Sequence, residues 1–319
     1  MQLRDVAPDR YARDVLPQTA ALWAGRRDFD TYVAQTLEIA RSPYGRRSYR
    51  TAALYAGDAM VASFKRYGRT LHAGGDRLRA VGIGAVFTPP EYRGRGYASA
   101  MLAMELDRAR RDGCDVAYLF SDIRPQFYAE LGFRELPSRE ISLRSDRLPA
   151  QRLAPARLQE RDWSGIRRCF QFEQHRSAAG FTRTPLVWGW MRMRLRHGSE
   201  RTGGQETDLV VRRGATVVAY VLGERDAARD TYALDEIGYA GERGAAAVPA
   251  LLRAAAGDLR KISGWLPPPI VRELLPKGSV RKRREAIFMA AALSARGSRL
   301  VSALADCGDA DPCWRADHI

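Results

Sequence analysis

The segment from Val86 to Ala98 constrains this chain more than any other. It reads Val86-Phe87-Thr88-Pro89-Pro90-Glu91-Tyr92-Arg93-Gly94-Arg95-Gly96-Tyr97-Ala98: an apolar strand stopped by prolines, a glycine-bearing loop, then the start of a helix. Proline cannot donate to a strand ladder, so the strand ends there. Glycines let the backbone turn tightly enough for several N–H groups to face one concavity. The helix beginning at Tyr97 adds its own unpaired N–H groups and the positive end of its dipole. Such a nest suits a pyrophosphate, and Arg93 and Arg95 set full charges beside it, each well-aligned bond contributing about 1.5–3 kcal/mol. G-x-G-x-x-G is absent and no G-K-[ST] follows, which removes the dinucleotide and Walker-loop readings.

At 319 residues the chain exceeds one ordinary core, and at roughly 150 residues per domain it divides into two. Its 45% hydrophobic and 28% charged residues are the balance of a globular protein, which excludes disordered and fibrous classes. No stretch approaches the roughly 18 apolar residues of a membrane span, and Met1 to Val6 begins no signal peptide; a cytoplasmic location without a membrane partner is expected. Cys114, Cys169, Cys307 and Cys313 form no CxxC pair, and only His318 stands close to one of them. Reduced thiols and no metal are expected, with Cys114 and Cys169 buried and the other two on a solvent-facing tail.

A net charge of +15 raises nucleic-acid binding as a competing function. Of the 52 basic residues, however, only Lys65, Lys261, Lys277 and Lys282 are lysines, and the arginines are spread among Asp and Glu along the chain. That pattern disfavours nucleic acid as a partner. The dense run Arg281-Lys282-Arg283-Arg284 leads straight into apolar residues from Ala286 to Ala290 and reads as the solvated lead-in to a strand.

Periodicity supplies the remaining elements. After a short alternating segment at Met1 to Val6, helical spacing covers Tyr11 to Ala24 and Phe29 to Ala40, the second capped by Asp28 or Asp30. Arg50 to Tyr55 and Met60 to Tyr67 form a hairpin about Gly57-Asp58, and Leu78 to Thr88 is a further strand. A helix over Ser99 to Arg111 ends at Gly113. Val116 to Phe120 is a buried strand, Gln126 to Leu131 a turn or two of helix, and Phe133 starts the next strand. Pro149 and Pro155 mark a boundary in the stretch from Leu148 to Pro155. The second half repeats the order: helices at Trp163 to Phe172 and Thr184 to Leu195, a hairpin of Asp208 to Val211 with Val217 to Gly223, a strand at Tyr232 to Gly238 and a helix at Ala245 to Ala256. The repeated order suggests an internal duplication.

The loop resembles motif A of the GNAT (GCN5-related N-acetyltransferase) superfamily, whose pattern is R or Q, two residues, G, one residue, G or A. Arg93-Gly94-Arg95-Gly96-Tyr97-Ala98 fits it, and the family's preceding V-x-V-x-P appears as Val86-x-Thr88-x-Pro90, with threonine for the second valine. The family's Y-x-x-x-G-F is met 32 positions beyond Gly96 by Tyr128-Ala129-Glu130-Leu131-Gly132-Phe133. The resemblance implies an α/β fold of two tandem GNAT-like domains, each a mixed, centrally splayed β-sheet flanked by helices. The divisions expected are 1–147, 148–295, and a C-terminal helix and tail over 296–319.

The same resemblance implies acetyl-coenzyme A as cosubstrate. Backbone N–H groups of Val86, Phe87 and Thr88 would hold the pantetheine arm as an added strand, and Arg93, Gly94, Arg95, Gly96, Tyr97 and Ala98 the pyrophosphate. Tyr128 would be the general acid, since a phenol with a pKa of about 10 keeps its proton at neutral pH. At the equivalent place the second half reads Tyr239-Ala240-Gly241-Glu242-Arg243-Gly244, without the arginine-led signature, so that copy is degenerate and one coenzyme site is expected.

The tandem arrangement is similar to the enhanced intracellular survival (Eis) type of acetyltransferase, without the sterol-carrier domain. In that type the C-terminal carboxylate is the catalytic base. By this resemblance the tail from Cys313 to Ile319, anchored by Trp314, returns the α-carboxylate of Ile319 to the first domain. The reaction implied is direct attack on the thioester by a primary amine of a small molecule or peptide. Cys114 follows Gly113 with no histidine neighbour and reads as a structural thiol, not a ping-pong nucleophile. Homo-oligomerisation is left open. A non-catalytic acyl-coenzyme A sensor and a basic nucleic-acid-binding protein are the competing functions.

Overall fold

The computed structural model describes residues 1–319 other than 74, 123–124, 151–153, 178, 267–268 and 307–312. Strand β1 (Gln2–Val6) leads into helices α1 (Pro8–Asp14), α2 (Leu16–Trp23), α3 (Phe29–Arg41) and α4 (Pro43–Ser48). Strands β2 (Tyr49–Ala56), β3 (Ala59–Ala73) and β4 (Asp76–Phe87) follow, then α5 (Tyr97–Arg111), β5 (Val116–Ser121), α6 (Pro125–Ala129) and β6 (Arg134–Glu135). Next come β7 (Arg139–Arg144), β8 (Ala156–Arg157), α7 (Trp163–Gln174), β9 (Ala179–Thr182), α8 (Pro185–Thr202) and β10 (Gln205–Glu206). The chain closes through β11 (Leu209–Arg213), β12 (Thr216–Asp226), β13 (Thr231–Tyr239), α9 (Gly241–Ala256), β14 (Lys261–Trp265), α10 (Pro269–Arg272), β15 (Ser279–Lys282), β16 (Ile287–Ala292) and α11 (Ala295–Asp306).

Local chemistry explains the boundaries. Asp28 caps α3 by accepting from the Thr31 N–H at 2.7 Å. The single helix expected over Tyr11 to Ala24 is two, because Pro17 has no N–H to give and its ring obstructs the preceding turn; α2 restarts with that proline in its first turn. Arg281 and Lys282, expected as a lead-in, form part of β15, an exposed strand paired with β7.

Among the described residues two eight-stranded sheets result. The first has the order β1-β2-β3-β4-β5-β16-β6, with β9 also pairing β3; the second runs β15-β7-β14-β13-β12-β11-β8, with β10 pairing β12. In each, an antiparallel ladder passes through a helix into a parallel pair: β4 with β5 by way of α5, and β13 with β14 by way of α9. The duplication read from element order is therefore a shared topology. The sheets nevertheless exchange strands, since β7 joins the second while β9 and β16 join the first. The divisions at 147/148 and 295/296 consequently do not fall where the sheets divide.

One apolar cluster runs from one sheet to the other, bringing Tyr44, Tyr49 and Tyr67 against Trp190, Tyr220, Ile237 and Trp314. Cys114 and Cys169 are buried free thiols, and Cys313 is buried as well. Burial raises both Cys114 and Cys169, as befits structural thiols. Cys313 had been expected on a solvent-facing tail; it lies instead in a core cluster with Phe181 and Phe288, because the tail is packed down. Cys307 falls outside the described residues.

That packing is anchored by buried charge. Arg183 donates to Glu236 Oε1 and Oε2 at 2.9 and 2.5 Å and to Asp317 Oδ2 at 2.7 Å, while Arg69 reaches Asp317 Oδ1 at 2.8 Å. Burial pushes the Asp317 carboxyl up, but Arg183 and Arg69 outweigh it and hold the group below its ordinary value. Removing one partner of a buried pair strands the others, so Asp317→Asn is expected to lower unfolding free energy by about 3–5 kcal/mol in urea titration. Because the folded-state pKa is depressed, the contribution of Asp317 is present above a pH of about 4 and is lost as pH falls through the lowered value.

Candidate active site

The first sheet opens at its centre. Parallel pairing of β4 with β5 covers only Ala80 to Gly82 against Val116 to Tyr118. Beyond Gly82, among the described residues, β5 continues against β16 alone, so residues 83–87 of β4 have an edge with no described strand beside it. A bulge lies between Ser63 and Lys65 of β3, and opposite it Ala85 takes a φ of 50°, a left-handed conformation unusual for a residue with a Cβ. Val86 is half-buried beside the apolar cluster of α5, whereas the Phe87 side chain packs under α1 with Tyr11 and Val15, leaving only its backbone for the cleft.

At the open end, Thr88 and Pro89 lead to a single 3-10 turn at Pro90–Tyr92 and then to the glycine loop. Gly94 and Gly96 have φ of 74° and 75°, and nothing lies within 4 Å of where a Cβ on either would point. Their task is therefore backbone conformation and not close packing. Gly96 is the N-cap of α5, with no side chain capping it and no acidic residue in the first turn, so the N–H groups at Tyr97 and Ala98 remain for an anion. Arg95 is exposed, its guanidinium 5.9 Å from the Tyr92 ring. Arg93 is partly committed: its Nε donates to the Thr88 carbonyl at 3.1 Å, tying the loop to the strand end.

Tyr128 stands in α6, packed edge-on against Phe127 at 5.0 Å and Phe133 at 6.1 Å. It borders the same cluster as Val86, Tyr92 and Tyr97, so the strand end, the loop and the phenol share one side of the sheet. Burial, with the Asp122 carboxylate adding to it, pushes the phenol up to about 12.

The chain end arrives from the opposite face. His318 sits between Phe120 and Trp265, with ring centroids 5.0 and 5.9 Å away, and Arg194 donates to its carbonyl. The carbonyl carbon of Ile319 lies 3.6 Å from where a Cβ on Gly84 would stand, and its Cδ1 2.6 Å from the matching point on Gly82. A Cβ at Gly82 would crowd the Ile319 and Tyr118 side chains, each 2.6 Å away, whereas one at Gly84 would meet the chain end at ordinary contact distance. A cavity of about 330 Å³ adjoins the tail, bounded among others by Asp122, Arg194, Glu224, Asp235, Trp265 and His318.

A split parallel pair, an anion-ready loop at its open end and a phenol held neutral nearby are groups that acyl transfer from a thioester could use. Residues 17–136 match the family model of the acetyltransferase (GNAT) domain. No curated protein sequence matches the chain. Among solved structures, a GCN5-related N-acetyltransferase from Anabaena variabilis ATCC 29413 is 16% identical, with a TM-score of 0.72 over 93% of this chain and 74% of that one. Eis1 from Mycobacterium abscessus is 16% identical, with a TM-score of 0.60 over 92% and 73%. A tandem GNAT protein from the clavulanic acid biosynthesis pathway is 13% identical, with a TM-score of 0.54 over 92% and 98%. At these identities the likeness is one of fold. Among the described residues no helix is long and apolar enough to cross a membrane.

Sequence reasoning did not single out Ala85, Gly82, Gly84, Asp122 or Arg194. The glycines could have been found, since Gly82 and Gly84 interrupt an otherwise apolar strand and glycine there signals close approach of another backbone. Ala85 and Arg194 carry no local signal; a bulge and a long-range packing decide them. In NMR of ring-labelled tyrosine, the resonance lost in Tyr128→Phe is expected to hold its shift to a pH of about 11, where a solvent phenol with its pKa of about 10 is already mostly ionised.

Proposed function

We propose that this protein transfers the acetyl group of acetyl-coenzyme A to a primary amine of a small molecule or peptide in the cytoplasm. The observation that carries this is the pairing of an uncapped helix start with an unpaired strand edge in the opened sheet. The first suits a diphosphate, and the second suits an extended arm laid alongside it. The roles of Val86, Phe87 and Thr88 are then those of backbone donors, with Arg95 and the loop amides at the phosphates.

The chemistry follows in one step with no covalent enzyme intermediate. The neutral amine attacks the carbonyl carbon, β4 N–H groups stabilise the oxyanion, the C–S bond breaks, and the acceptor nitrogen gives up a proton. The α-carboxylate of Ile319 takes that proton, and the Tyr128 hydroxyl donates to the departing sulfur. A phenol at about 12 is fully protonated at neutral pH and ready to donate.

Acetyl-coenzyme A should raise the melting temperature, and an amine panel should release free thiol. Tyr128→Phe is expected to lower kcat by about 100-fold or more with coenzyme Kd little changed, as removal of a general acid does. A non-catalytic sensor would have no turnover to lose. Deleting Ile319 alone leaves Asp317 and its ion cluster in place, so it should remove turnover while sparing coenzyme binding. Full activity in that variant would exclude the terminal carboxylate as base.

A further inference from the structure

The face of β3 that meets the chain end carries a cation that no anion of the described residues claims. Ser63, Lys65, Tyr67 and Arg69 alternate onto one face of the strand. Lys65 is the cross-strand partner of Gly84, the residue against which Ile319 rests, so its side chain leaves the sheet beside the tail. Arg69, two side chains along, is matched by Asp317. Partly buried Lys65 makes no hydrogen bond or ion pair among the described residues; its ammonium has only the face of Tyr11, 5.8 Å to the ring centroid.

Two further cations converge there. Arg27 is held by the carbonyls of Ala24 and Trp23 and by Gln35 Oε1, at 2.7, 2.6 and 2.7 Å. Arg194 donates to the His318 carbonyl. Neither has a carboxylate at ion-pair distance among the described residues. Burial, then the like charges of Arg27 and Arg194, pull the Lys65 ammonium down to about 8. Two acidic groups of the cavity beside the tail, by contrast, are matched from within: Arg315 reaches Asp235 at 2.7 Å and Glu224 at 3.5 Å. Burying an uncompensated ammonium is costly, and a ligand anion removes that cost.

Resting on the acetyl-transfer reading, we propose that the acceptor is an amine that also carries a carboxylate, and that Lys65 pairs with this carboxylate, flanked by Arg27 and Arg194. The amine and the acid belong to one small molecule of amino-acid type, the amine directed at the thioester and the acid at β3. Lys65 thus sets specificity and takes no proton in the reaction.

The test compares kcat/KM for α-, β- and γ-amino acids with that for their carboxamides, in the wild type, Lys65→Met and Lys65→Arg. Coenzyme binding by calorimetry is measured for each protein. The wild type is expected to prefer the acid of the best pair by about tenfold or more, the value of one charge-assisted bond, with the difference mainly in KM. Lys65→Met should bring that ratio close to one, and Lys65→Arg should restore most of it. Equal use of acid and amide by the wild type overturns the proposal and leaves acetyl transfer standing. A Lys65→Met variant that loses kcat on both members equally also overturns it, assigning Lys65 to the chain-end carboxylate instead. Failure of the wild type to bind coenzyme at all removes the acetyl-transfer reading, and this proposal with it.

Discussion

The position of the chain end depends on one buried guanidinium. Arg183, on the segment after β9, holds Glu236 of β13 with one side of its fork and Asp317 of the tail with the other, and it lies 4.0 Å from the ring centre of Phe170. Arg69 of β3 supplies the second positive charge, so two cations meet two carboxylates. Such a cluster is costly to desolvate and unforgiving of the loss of any member, and it therefore has one workable geometry. The first sheet, the second sheet and the tail are registered against one another by it.

From that registration the site follows. With Asp317 fixed, the two residues after it run onto β4, where Gly82, without a Cβ, leaves room for the Ile319 side chain. The same strand that receives the tail on one face has lost its neighbour along one edge, and its end turns into an uncapped helix. Three surfaces of a single strand thus have different surroundings: its face carries the tail, its edge is open and its tip leads into the loop. Tyr128, on the far side of the opening, is kept protonated by burial and by Asp122, a condition set by the helix α6 that carries it.

Much of this was legible in the residues. The loop at Gly94 and Gly96, the helix it starts and the tyrosine 32 positions on are local patterns, and local patterns survive folding. A cap at Asp28 or Asp30, which the structure assigns to Asp28, and the hairpin about Gly57 were equally plain. What sequence could not give was the membership of β7, β9 and β16, because pairing partners across a hundred residues leave no periodic mark. For the same reason the sequence reads the tail as exposed at Cys313, whereas that residue is buried in the cluster with Phe181 and Phe288. Lys65 shows the limit most clearly: in sequence it is one cation among 52, and only the tail and two arginines folding around it make it unusual.

The exchange of strands has a consequence for how the protein comes into being. Because β16 stands between β5 and β6, the sheet bearing the glycine loop lacks an inner member until residue 292 has left the ribosome. The first 147 residues alone would present the exposed edge of β5, a template for pairing with any passing chain. The two halves are consequently bound to mature together, and a truncated product has no route to a partly working enzyme.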